Sequence, residues 1–124
     1  STLSIEEGLL LNAYYERQIV GWEKSLIDLI LPKNTELEQN FPNPFNPTTS
    51  IPLSLAGRSH VRLAVFNLLG QKISTLINQS LEAGYHTIDW NGRDASGHLA
   101  AAGLYFYLLE TEDFRQTRKM TLVK

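Results

Sequence analysis

The sequence predicts an all-β fold: an immunoglobulin-like antiparallel β-sandwich of about seven strands over residues 36–124, preceded by an extension at residues 1–35. Three observations carry this. From Thr49 onward, short runs of alternating apolar and polar residues recur between turn residues, at roughly the 8–12-residue interval of sandwich strands. Leu104–Leu109 is apolar on both faces, which predicts a strand in the centre of a sheet. Ile88 and Trp90 share one strand face with His86, and a tryptophan in such a strand plugs the space between sheets while its indole N–H finds one acceptor.

Residues 1–35 read in two ways. Ser4-Ile5-Glu6-Glu7 has the form of a capping box, opening a helix that would stop at Pro32. Asn12, Glu16 and Glu23 would then project from the centre of that helix's apolar face. Gly8 and Gly21, with Tyr14, Tyr15, Ile19, Val20 and Trp22, favour strands. A β-hairpin turning near Glu16-Arg17-Gln18 and a strand at Leu26–Leu31 is therefore the favoured reading, and a helix is the alternative. The segment reads as the tail of a preceding domain or an extra hairpin, plus a linker.

A short strand is expected at Leu37–Asn40. Three of the five prolines then fall within Pro42–Pro47, alternating with asparagines. Proline fixes φ and lacks an amide donor, so this run is neither helix interior nor central strand. Asparagine closes local turns. The presence of Phe41 and Phe45, where a flexible linker carries Ser, Gly or charge, predicts an ordered loop pinned to the core by both rings.

Ile51, Leu53 and Leu55 alternate next, and Pro52 predicts an edge strand or one-sided pairing near its start. Val61, Leu63 and Val65 form one face of the following strand and Ala64, Phe66 and Leu68 the other, which predicts a covered strand. Gly70 supplies a positive φ for the turn before Ile73, Thr75 and Ile77 resume the alternation. Asn91–Gly103 is loop-like, and Glu110-Thr111-Glu112-Asp113 reverses the chain. In the last strand Phe114, Met120 and Leu122 occupy even positions and Arg115, Thr117 and Lys119 odd ones, so one side is exposed.

Composition narrows the function classes. Eleven basic against thirteen acidic side chains leave no basic stripe for nucleic acid or a membrane surface. The absence of cysteine removes disulfides and thiol-based metal or catalytic sites. No run reaches about 18 apolar residues, so no transmembrane helix is expected. Ser1–Gly8 is acidic and lacks the apolar region of a signal peptide, so the chain is expected to be the end of a longer precursor.

Catalytic and metal constellations are not assembled by the sequence, and neither enzymatic activity nor a cofactor is expected. His60, His86 and His98 stand alone without ligand spacing. Ser96 lacks the preceding glycine of a nucleophile elbow. Glu110, Glu112 and Asp113 crowd a hairpin tip, where solvation explains them better than a carboxylate pair does. Asp89–Asp94 offers oxygens like a calcium loop, but Gly92 falls at position four, Arg93 adds a cation and Ala100 stands where a bidentate Glu belongs. Tyr85, Tyr105 and Tyr107 could form a sugar-stacking face, although apolar neighbours on both sides favour burial of the last two.

The string Gln39-Asn40-Phe41-Pro42-Asn43-Pro44-Phe45-Asn46-Pro47-Thr48-Thr49-Ser50-Ile51 resembles the opening signature of C-terminal sorting domains (type A) of the type IX secretion system. Val65–Ile73, Ala83–His86, Asp89–Gly97, Ala102–Tyr107 and Lys119–Lys124 resemble that family's later elements in order, so the match covers roughly residues 36–124. The sandwich is also similar to the immunoglobulin-like module of flagellar hook-capping proteins. The first resemblance implies a non-catalytic sorting signal on a secreted or cell-surface protein that passes through the periplasm. Its partners would be the outer-membrane secretion machinery, which grasps the folded sandwich and its last strand, and a sortase-like surface protease, which cuts within Pro32–Gln39. The residues implied are Asn40, Phe41, Pro42, Asn43, Pro44, Phe45, Asn46, Pro47, Gly70, Trp90, Gly103, Tyr105, Lys119, Met120, Leu122 and Lys124. The alternative is a carbohydrate-binding or structural immunoglobulin-like module of a secreted multidomain protein. Cargo and oligomeric state are not specified by the sequence.

Overall fold

The structure is a computed structural model in which Leu26 and residues 29–124 are described. The chain divides into two units, Ser1–Leu31 and Pro32–Lys124. In the first, Leu26, Leu29 and Ile30 are helical, so the strand expected at Leu26–Leu31 does not form. These three leucine and isoleucine positions follow the i, i+3, i+4 spacing of a helix face, and Pro32 ends the run. The expected hairpin near Glu16–Gln18 lies outside the described residues.

In the second unit, period-two alternation produces seven strands: β1 (Glu36–Leu37), β2 (Thr49–Leu55), β3 (Ser59–Phe66), β4 (Lys72–Leu81), β5 (Gly84–Trp90), β6 (Gly103–Glu110) and β7 (Arg115–Leu122). They form two antiparallel sheets, ordered β1-β2-β5 and β4-β3-β6-β7. This is the expected immunoglobulin-like sandwich. Ile51, Leu53 and Leu55 from β2 meet Val61, Leu63 and Val65 from β3 and Tyr105, Tyr107 and Leu109 from β6 in one buried cluster. Each such aliphatic side chain contributes about 1.5–3 kcal/mol by leaving water.

Several expectations are corrected in detail. The first strand covers only Glu36–Leu37, and Asn40 belongs to the loop that follows. β2 is the centre of its sheet rather than an edge. Pro52 is tolerated there because β1 flanks only Leu53 and Ser54, while the Pro52 carbonyl accepts the Glu38 amide at 3.0 Å. Leu68 does not extend the apolar face of β3, because the chain leaves the strand at Asn67 and Leu68 is exposed. Phe41 does not pin its loop. It is 77% exposed, whereas Phe45 is 1% exposed. Tyr105 and Tyr107 are buried, so they form no sugar-stacking face.

Within the stretch where the resemblance implies a cut, Asn34–Glu36 are held to the sandwich. The Asn34 carbonyl accepts the Ser54 hydroxyl, the Thr35 hydroxyl accepts the Ala56 amide, and Glu36 pairs with β2. The two sides of the sandwich differ. β1 and β7 are laced together: Arg118 Nε donates to the Leu37 carbonyl at 2.6 Å, and the Leu37 amide donates to Gln116 Oε1 at 3.2 Å. On the opposite side β4 and β5 are the outer strands of their sheets.

Candidate functional site

The Asn40–Pro47 loop is shaped by what its residues cannot do. Its prolines donate no amides, so the loop is held by side chains and by the few amides left. All three X–Pro bonds, before Pro42, Pro44 and Pro47, are cis. Asn40 is the buried knot. Its Nδ2 donates to Thr49 Oγ1 at 2.9 Å and to the Pro42 carbonyl at 3.2 Å, and its Oδ1 accepts from Gln39 Nε2 at 2.7 Å. The Thr49 hydroxyl in turn donates to the Pro42 carbonyl at 2.9 Å. A buried amide with three partners is a satisfied group, and its hydrogen bonds fix the loop entrance.

Below Asn40 lies Tyr107. Its hydroxyl accepts the Asn40 amide at 2.8 Å and donates to the Glu38 carbonyl at 2.7 Å. Burial pushes this phenol up to about 12, against the smaller lowering effect of the Asn40 amide and the Arg118 charge. Tyr105 is also raised by burial, and its hydroxyl donates to the Ala101 carbonyl at 2.5 Å.

Phe45 is the loop's anchor. Its ring packs on Trp90 with centroids 5.6 Å apart, and Trp90 packs on Tyr105 at the same separation, edge to face. Trp90 Nε1 donates to the Arg93 carbonyl at 2.9 Å, which gives the buried indole its acceptor. The backbone of Phe45 joins the last strand as a short parallel partner. Its amide donates to the Thr121 carbonyl, and its carbonyl accepts the Val123 amide, each at 2.9 Å. Asn43 Oδ1 accepts the Thr121 amide at 3.0 Å, and Gln39 Nε2 donates to the Lys119 carbonyl at 2.8 Å.

The outer edge of β7 is therefore not open along its length. β7 is the edge strand of its sheet, but from the Lys119 carbonyl to the Val123 amide its outward backbone groups are taken by Gln39 and the loop. An added strand cannot use those groups while the loop is in place. Met120 and Leu122 point into the core, and Lys119 and Lys124 are exposed.

Most of the sequence-derived residues thus meet in one construction. The loop from Asn40 to Pro47 rests on Trp90, Tyr105 and the end of β7, and Gly103 stands opposite Leu122 in the β6–β7 ladder. Gly70 is separate. It lies in the β3–β4 turn with φ of 80°. Sequence reasoning missed Thr49, Tyr107, Thr121, Gln39 and Gly92. A Cβ on Gly92 would lie 2.6 Å from the Pro47 carbonyl oxygen, so the absent side chain is what lets the two loops touch. The Asn91-Gly92 pair was the available signal, since it marks a tight turn. Thr49 and Tyr107 stood within the quoted segments, but nothing in the sequence marked their hydrogen-bonding roles, which need residues 9 and 67 positions away.

The side-chain oxygens considered as calcium ligands are already engaged within the protein. Asp89 Oδ1 accepts the Ser50 hydroxyl, Asn91 Oδ1 accepts the Arg93 amide, and Asp94 Oδ1 accepts the Ser96 and His98 amides. They border an open groove of about 880 Å³ between β4 and the 91–97 loop, which Lys72 and Arg93 also line. Among the described residues, no three potential metal ligands cluster and no helix is long and apolar enough to cross a membrane.

A sequence model of the FlgD Ig-like domain matches residues 45–113. Comparison with curated proteins gives no match. Among solved structures, dimeric latent PorU from Porphyromonas gingivalis is 14% identical with a TM-score of 0.56, over 73% of this chain and 9% of that one. PorZ, a type-IX secretion system surface component of the same organism, is 15% identical with a TM-score of 0.49, over 74% of this chain and 12% of PorZ. FlgD from P. aeruginosa is 26% identical with a TM-score of 0.48, over 60% of this chain and 58% of that one. The chain thus spans about a tenth of PorU, a likeness that shows the fold. With more than half of its length matched by the family's own sequence pattern, the chain belongs to the FlgD Ig-like domain family.

Proposed function

We propose that the sandwich is a non-catalytic sorting signal, carrying a cargo through the outer membrane by the type IX secretion system and then cut away at the cell surface. The observation that supports it most is the lacing of Asn43 and Phe45 onto Thr121 and Val123. The opening signature and the closing segment of that resemblance, far apart in sequence, form one surface. A receptor can therefore read both at once, but only in the folded state. The likeness of fold to PorU is consistent with this reading.

The same lacing changes how recognition works. With the edge of β7 occupied from Lys119 onward, the receptor reads the outward side chains Lys119 and Lys124 and the exposed loop, rather than extending the strand there. Cleavage shifts too. Asn34–Leu37 are bonded to β2, so the protease needs the backbone at or before Pro32–Lys33, where fewer bonds must break.

The test is surface delivery of a tagged precursor. Deleting Met120–Lys124 removes two core side chains as well as the signal, so it must be joined by variants that keep the fold. Lys119→Glu with Lys124→Glu, and Phe41→Ser, are expected to leave the melting temperature unchanged and to leave cargo in the periplasm. Normal export of every variant, the deletion included, would end this reading. A structural immunoglobulin-like module is the second reading, favoured by the family match itself; it expects export to survive loss of the whole sandwich.

A further inference from the structure

Six large apolar side chains of the unit Pro32–Lys124 are exposed: Phe41, Leu68, Leu69, Tyr85, Leu99 and Val123. The strand registers place five of them at one end of the sandwich. Phe66 lies level with Lys72 and Phe106, and Gly103 lies level with Leu122. The Asn67–Gln71 turn, the loop before β6 and the residues after β7 therefore leave their sheet at the same end. Thr49 pairs with Trp90, Phe41 bridges Ser50 and Phe45 bridges Leu122, which brings Phe41 there as well. Tyr85, opposite Ser54, lies at the other end. Single exposed apolar residues are ordinary, but their segregation to one end is not.

The leucine tip is held in place rather than loosely exposed. Asn67 Oδ1 accepts the Leu69 and Gln71 amides at 3.0 Å each, and the Asn67 carbonyl accepts the Gly70 amide at 3.0 Å. The Asn67 amide donates to the Gln71 carbonyl at 3.0 Å. This turn fixes a backbone on which Leu68 and Leu69 are 63% and 83% exposed.

Cations accompany the apolar tips. Lys72 closes the leucine turn, Lys124 follows Val123, and Arg93 bridges Leu99. The carboxylates at this end, Asp89 and Asp94, are held by Ser50, Ser96 and His98 and keep their charge, so the three cations Lys72, Arg93 and Lys124 face two anions and leave a small positive excess. Glu82, Glu112 and Asp113 lie in the turns at the opposite end. Apolar tips on separate loops, each beside a lysine or arginine, suit the boundary of a bilayer, where the tips enter the acyl region and the cations stay among anionic headgroups. A protein interface instead centres on a core depleted of charge.

We infer that this end of the sandwich seats on an anionic lipid surface, with Leu68 and Leu69 entering first. The inference does not depend on the sorting role. The test is sedimentation of the full chain with vesicles of phosphatidylcholine containing phosphatidylglycerol, and with vesicles of phosphatidylcholine alone. The chain is expected to sediment with the anionic vesicles, less so at high salt. Leu68→Ser with Leu69→Ser should lower partition about ten-fold or more. Lys72→Glu with Lys124→Glu should remove the preference for phosphatidylglycerol, and Tyr85→Ser should change nothing. Sedimentation with neither vesicle, equal partition of the leucine variant, or an equal loss from Tyr85→Ser overturns the inference. So does a solution dimer that the leucine variant dissociates without any vesicle binding, which would give this end to a second copy of the chain.

Discussion

Two phenylalanines four residues apart have opposite environments, and the difference is measurable. Phe45 is buried against Trp90, so Phe45→Ala should cost about 3–5 kcal/mol in denaturant unfolding. Phe41 is exposed, so Phe41→Ala should stay within about 0.5 kcal/mol. The sequence reading gave the anchoring to both rings and only Phe45 serves, because alternation, the signal that sorts inward from outward side chains, is lost where prolines interrupt the strand. Tyr107 carries a second prediction. Its folded-state ionisation lies near 12 against an ordinary 10.0, so the unfolded chain loses this proton first as pH rises. Its contribution is therefore complete below about pH 10 and is lost progressively between about 10 and 12. Tyr107→Phe should remove that alkaline loss relative to wild type, and it should cost about 1–3 kcal/mol at neutral pH by leaving the Asn40 amide without its acceptor. Urea titrations across the alkaline range read both effects.

At the scale of elements, the strands were legible because burial follows a period of two. β3, β6 and β7 lie within a residue or two of where their alternation placed them, with Leu68 and Phe114 left outside, and β6 is central, as its two apolar faces predicted. The loops were less legible, since their conformation is decided by what they touch. Gly92 and Gly70 separate the two contributions. Both have positive φ, but only Gly92 would also place a Cβ against backbone, at the Pro47 carbonyl. Gly70→Ala should cost roughly 1–2 kcal/mol from the left-handed backbone alone. Gly92→Ala should cost clearly more, and it should loosen the Asn40–Pro47 loop, seen as faster amide exchange at Phe45 and Thr121. Equal losses in thermal melts would show that the contact between the two loops has no energetic weight.

For the unit Pro32–Lys124 taken as a whole, the two sides of the sandwich are built differently. β1, the proline loop and β7 are tied by backbone and side-chain hydrogen bonds, while β4 and β5 border an open groove. One end carries the apolar tips and cations, and this polarity explains how a chain with balanced charge can still present a directional surface. The sequence by itself determined the fold class, the number of strands and the identity of most core residues, because alternation, glycine punctuation and a strand-borne tryptophan are local signals. It placed the proline loop and the last strand as two separate signatures. Only the tertiary structure joined them, since Asn43, Phe45, Thr121 and Val123 meet through closure of the sandwich and no local pattern records a partner so distant along the chain.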